Sequence, residues 1–168
     1  MPEAISDTGP LLHLHEIGQL DALGIFTHLI VPRLVADELR THGLKPANLG
    51  VPGLRISVVV VDEGHLNRVL TEGERPPIHP ADAEVLALAY SDNFQKPVLT
   101  DDLALRRRLE AAGAIVTGSV GILVRAYKTN RLTRAQLEHA LDALFSNSTL
   151  HLSRAFRTYV RQLLADLP

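Results

Sequence analysis

A chain of 168 residues with 46% hydrophobic and 21% charged side chains has the size and composition of one folded domain, not of a disordered segment. It has no cysteine, which excludes disulfides, zinc–thiolate sites and thiol nucleophiles, and no apolar run approaches the roughly 20 residues needed to span a bilayer. The net charge of −2 conceals −6 over residues 1–100 and +4 over residues 101–168, so any basic surface is local and belongs to the C-terminal part.

In chain order, Ala4-Ile5-Ser6 predicts a short strand ending at Asp7, and Pro10 suits the first turn of a helix that carries Leu11, Leu12, Leu14 and Ile17. Residues 27–31 predict a second strand. Pro32 then opens a helix through Leu34, Val35, Glu38 and Leu39, which Gly43 ends. Residues 43–54, punctuated by Gly43, Pro46, Gly50, Pro52 and Gly53, predict a loop, either a lid over substrate or an ordinary connection. The β-branched run 55–61 predicts a strand, residues 62–71 a short helix, and 72–80, interrupted by Pro76, Pro77 and Pro80, no regular structure. A helix over 82–90, a strand over 97–100, a helix over 103–112 stopped by Gly113, a strand over 114–117 and a helix over 118–128 follow. Helices that return between strands imply parallel pairing and an α/β layered fold. Residues 129–168 predict helices alone. One begins at a Thr133…Gln136 capping box, and a last one, capped by Ser153, has Phe156, Tyr159, Val160, Leu163, Leu164 and Leu167 on one stripe. That stripe reads as packing on the chain's own sheet, with a dimer or partner groove as the alternative.

Ligands of open parallel sheets bind beyond the carboxyl ends of the strands. Asp7 follows the first strand, and Asp101 and Asp102 follow the strand at Val98-Leu99. Glu38 lies in the helix after the second strand, and Asp82 opens a helix. Singly, such acids read as helix caps or solvated residues. Jointly, a carboxylate cluster without His or Cys partners suits hard divalent cations, which relieve the repulsion and can activate water against a phosphodiester. Arg106, Arg107 and Arg108 on the following helix are candidate phosphate contacts, of which at most one or two can face the site.

The segments 5–12 (ISDTGPLL), 31–39 (VPRLVADEL), 82–89 (DAEVLALA) and 98–102 (VLTDD) resemble, in order and spacing, the four acidic motifs of PIN-domain nucleases. Gly118-Ser119-Val120-Gly121-Ile122-Leu123 resembles the turn after the last strand in a subgroup close to the VapC-like toxin ribonucleases. The resemblance implies a three-layer α/β PIN-like fold with a central, mostly parallel sheet flanked by helices. Residues 1–130 would form the nuclease domain, and 131–168 a helical C-terminal extension packed on it. It implies a Mg²⁺- or Mn²⁺-dependent endoribonuclease, with Asp7, Glu38, Asp82 and Asp102 as the catalytic, metal-binding acids. Thr8 and Thr100 would orient neighbouring carboxylates. Asp101 would replace Asp102 in an alignment shifted by one, and Arg106 and Arg107 would hold substrate. The expected partners are RNA, an antitoxin protein and a second copy of the chain, with no membrane and a cytoplasmic location, in keeping with an N-terminus that lacks a signal-peptide pattern.

One departure from the resemblance is Ala104, where many relatives carry a further acid. It keeps open a non-catalytic RNA- or protein-binding module as the alternative function. Glu84 lies about 200° around the helix from Asp82 and reads as solvated. His79 reads as a solvent-facing loop histidine, and His13 and His15 diverge too far to share a metal. A base-stacking platform is not expected from 4% aromatics and no tryptophan. The Asp7-Thr8-Gly9 triplet of an aspartic protease is disfavoured by the α/β alternation. A phosphoacceptor domain is disfavoured because Asp7 stands alone after the first strand and no lysine follows the last.

Overall fold

The computed structural model describes residues 2–71 and 77–168. Five strands, β1 (Glu3–Ser6), β2 (His28–Pro32), β3 (Arg55–Val59), β4 (Val98–Leu99) and β5 (Val116–Thr117), form one sheet in the order β3-β2-β1-β4-β5, and every pairing is parallel. The helices between them are α1 (Thr8–Glu16), α2 (Arg33–Thr41), α3 (Glu63–Thr71), α4 (Pro80–Ser91), α5 (Leu103–Ala111) and α6 (Ser119–Lys128). Two more, α7 (Arg134–Asn147) and α8 (Arg154–Asp166), close the chain. Among the described residues no helix is long and apolar enough to cross a membrane.

The central strands are short and apolar because both of their faces are covered. Ala4, Ile5, Leu29, Val31, Val98 and Leu99 are all buried, and Leu11, Leu14, Leu39, Leu105, Leu109 and Leu123 close over them from the helices. β3 stops at Val59, two residues before the β-branched run ends. Val59 pairs with Pro32, the last residue of β2, and beyond it the neighbouring chain has already turned into α2. Val60 is consequently 77% exposed.

Local chemistry sets most helix starts. α1 begins at Thr8, two residues ahead of Pro10, because the Asp7 carboxylate accepts the Thr8 N–H, and a proline in the first turn leaves no backbone bond unmade. α4 begins at Pro80 rather than at Asp82 for the same reason. The Thr133/Gln136 capping box makes both of its hydrogen bonds, and Ser153 Oγ accepts the Phe156 N–H. Two 3₁₀ turns, Leu20–Ile25 and Pro46–Asn48, were not legible as periodic elements. The first buries Leu23 and Ile25, and the second lies inside the predicted loop. Of the predicted irregular stretch 72–80, residues 72–76 lie outside the described residues, and 77–79 are without regular structure.

α7 buries Leu137, Ala140, Leu141 and Leu144, and α8 packs part of its stripe on the core, through Val160, Leu163, Leu164 and Leu167. Val160 alone is fully buried, while Phe156 is 37% and Tyr159 60% exposed. The helix is held mainly at its C-terminal end, where Arg134 donates to the carbonyls of Leu164 (2.5 Å) and Leu167 (2.9 Å).

Candidate active site

β1 lies between β2 and β4, so the chain leaves the centre of the sheet in opposite directions before and after α3 and α4. Crevices at such reversals, beyond the carboxyl ends of the strands, are where open α/β sheets bind ligands. The reversal falls between β1 and β4. Their ends are laced together by the Asp7 N–H donating to the Leu99 carbonyl at 2.9 Å. Asp7 leaves one side of this crevice, and Asp101 and Asp102 leave the other.

Asp7 is only 6% exposed. Its Oδ1 accepts the Thr8 N–H at 2.7 Å and its Oδ2 accepts the Thr100 hydroxyl at 2.7 Å. Burial raises its pKa against those two hydrogen bonds, and the charges of Glu38 and Asp102 raise it further. Glu38, on the inward side of α2, accepts the Thr8 hydroxyl on Oε2 at 2.5 Å. Asp102 caps α5 with Oδ1, which accepts the Leu105 N–H at 2.6 Å. Asp82, in the first turn of α4, is pushed up to about 6 by desolvation and by the charges of Asp7, Asp102 and Glu38, with His79 acting the other way. The acids from β1, α2, α4 and β4 therefore bear on one another across a single rim.

A family model described as a PIN domain matches residues 3–166. The chain belongs to the PIN-domain family. No curated protein is similar enough to match it. PIN domains are generally nucleases, and they typically use divalent metal ions. The donor chemistry of this PIN domain fits such an ion: four oxygen-only side chains, with burial first and their mutual repulsion second raising the pKa of Asp7 and Asp82. Among the described residues, no three His, Cys, Asp or Glu groups stand as a preformed ligand cage. The carboxylates of this rim meet electrostatically, not in coordination geometry.

The raised pKa of Asp82 has a definite sign. The folded chain keeps a proton that the unfolded chain releases between its value of 3.8 and about 6, so stability falls as pH rises through that window. Asp82 is partly solvated, and screening leaves about 1 kcal/mol of that cost.

Two further acids of the PIN domain have other work. The Asp101 side chain, 9% exposed, accepts from His13 Nδ1 (2.7 Å) on its Oδ2, and from Ser119 N–H (2.7 Å) on Oδ1 and Ser119 Oγ–H (2.6 Å) on Oδ2. It thereby caps α6 from outside and ties it to α1 and β4. Gly118 is required by this approach, since a Cβ there would stand 2.5 Å from Asp101 Oδ1. Gly121 is required similarly, because its Cβ would stand 2.2 Å from the Thr117 hydroxyl. Glu84, expected in solvent, is 4% exposed and accepts the Leu34 N–H at 2.8 Å. It supplies the cap that Pro32, with no side-chain acceptor, cannot give α2.

His79 lies in the loop before α4 and is exposed, as expected, and its ring stands 3.7 Å from Glu38 Oε1 at the edge of the rim. Of the candidate phosphate contacts, Arg106 is committed to the protein: it donates to the carbonyls of Thr100 and Val116 and pairs with Glu110. Arg107 is exposed.

Proposed function

We propose that this PIN domain is a Mg²⁺- or Mn²⁺-dependent endoribonuclease that hydrolyses RNA phosphodiester bonds, and that it serves as the toxin of a toxin–antitoxin pair. The observation that carries the nuclease reading is the meeting of Asp7, Glu38, Asp82 and Asp102, from four separate elements, at the sheet's reversal in a chain of this family. The toxin reading is supported by the VapC-like Gly118…Gly121 turn.

A divalent ion bound among these acids supplies Lewis acidity: it lowers the pKa of water and offsets charge on the leaving oxygen. Asp7, fixed on both oxygens by Thr8 and Thr100, would be the central ligand of such an ion, and Glu38, held by the Thr8 hydroxyl, would be a second. Asp82, ionised above about pH 6, would bind the same ion. Asp102 spends one oxygen on the α5 cap and would have its other oxygen for the ion. His79 stands beside Glu38 and would contact substrate from the solvent side of the rim. Arg107 meets the RNA backbone from solvent. No side chain is needed as nucleophile, because water attacks the phosphorus in line.

Ala104, exposed in the first turn of α5, favours a second reading, a module that binds without turnover. One assay separates the two. A single-stranded RNA incubated with the protein and Mn²⁺ is expected to be cut, and the same mixture with chelator to remain whole. RNA bound in both and cut in neither supports the module. Growth arrest on expression, which the toxin role requires, checks that part separately.

A further inference from the structure

A groove of about 970 Å³ lies between the free edge of the sheet at β5, α6 and the N-terminal half of α8. Val116, Val120, Leu150, Leu152, Phe156 and Leu163 line it, with Tyr159 at the mouth. It exists because α8 is tethered at its far end by Arg134, leaving its apolar stripe facing β5 without filling the space. Exposed large apolar groups gathered in one concave place are uncommon on a domain that works alone.

The chemistry of the groove selects among occupants. Its floor is aliphatic, so a nucleobase seated there would leave its polar edges unpaired, at about 1–3 kcal/mol for each group. Its rim carries His151 and Arg154, beside Arg106, whose charge is paired with Glu110. The side chain of Arg154 makes no ion pair among the described residues, and the acid in the lining, Asp101, is already committed to His13 and Ser119. A second copy presenting its own α8 would bring Arg154, Arg157 and Arg161 against the same three, with Asp166 alone to offset them.

We propose that this groove is the docking site for a helical segment of a partner protein, apolar on one face and acidic along its flanks. Such a segment would lay its apolar face on Val116, Val120 and Phe156 and its carboxylates beside Arg154 and His151. Arg106 belongs to both the groove wall and the support of Thr100, so an occupant there contacts a residue that holds the acid-bearing loop. The proposal is independent of the nuclease reading and does not need RNA cleavage to hold.

The test is a phage-displayed library of amphipathic helical peptides of about 16 residues, roughly 24 Å of helix. It is panned on the full chain, and the enriched peptides are then synthesised and titrated. Tyr159→Glu and Arg154→Glu, both on the exposed side of α8, serve as probes, with circular dichroism verifying that each variant is folded. The expected result is enrichment of peptides with acidic flanks that bind at least tenfold more weakly to either variant. Peptides without acidic enrichment, peptides indifferent to both substitutions, or no enriched peptide at all would overturn the proposal. So would a single-stranded RNA whose binding is lost in Tyr159→Glu, or a dimer that Tyr159→Glu converts to monomer, since each assigns the groove to a different occupant.

Discussion

Asp7→Asn is expected to lower RNA cleavage by on the order of 10³-fold while leaving the fold in place. The substitution keeps the size of the side chain and one carbonyl oxygen, so either the Thr8 N–H or the Thr100 hydroxyl retains its acceptor. It removes a charge that burial and the neighbouring acids already disfavour. Thermal unfolding should therefore occur within a few degrees of wild type or higher, and the loss should appear wholly in turnover. RNA affinity should persist, because Arg107 and the surrounding surface are untouched. Cleavage within tenfold of wild type would remove Asp7 from the centre of the chemistry. A collapse of stability would show that the group is needed for folding instead.

Asp101→Ala is expected to do the reverse, destabilising strongly. The change strands the Ser119 N–H, the Ser119 hydroxyl and His13 Nδ1 at the junction of α1, β4 and α6. Three donors that lose a charged, buried acceptor cost about 3–5 kcal/mol together. For a chain of this size that is a fall in Tm of roughly 6–20 °C. Asp101→Asn, which can still accept from Ser119, should recover part of it. The contrast with Asp7 discriminates between the two neighbouring acids. If Asp101 were the metal-binding acid of this pair, Asp101→Asn would leave stability unchanged and abolish cleavage as Asp7→Asn does. Chemical denaturation read beside turnover decides the matter.

Much of the layered architecture could be read from the chain because its signals are local and periodic. Short β-branched runs alternate with amphipathic stretches, and Pro10 and Pro32 mark helix starts that the structure contains, while Pro80, read as part of an irregular stretch, opens α4. Glycine is another matter. Gly118 and Gly121 were legible only through family likeness, because the approach of Asp101 and the Thr117 hydroxyl that requires them exists only in three dimensions.

The same limit separates the acids. Angular position on α4 put Glu84 opposite Asp82 and hence, by default, in water. The face opposite Asp82 is instead covered by the start of α2, whose uncapped N–H draws the carboxylate in. His79 is a solvent-facing loop residue as read, but nothing in 77–80 announces that Glu38 of α2 comes within 3.7 Å of it. The stripe on α8 was read correctly in part, since Val160, Leu163, Leu164 and Leu167 pack on the core. Its period was correct, but a tether at one end and a groove at the other leave it half exposed, which no hydrophobic pattern records.

The direct test of the central claim, that four carboxylates from distant stretches of sequence share a divalent ion, is a crystal structure of the protein soaked in Mn²⁺ and examined by anomalous scattering. At a pH of about 7.5, above the value near 6 to which Asp82 is raised, a peak is expected among Asp7, Glu38, Asp82 and Asp102. At a pH of about 5, with Asp82 holding its proton, the peak should weaken or vanish. A peak elsewhere, or none at the higher pH with the four side chains directed away from one another, would contradict the account.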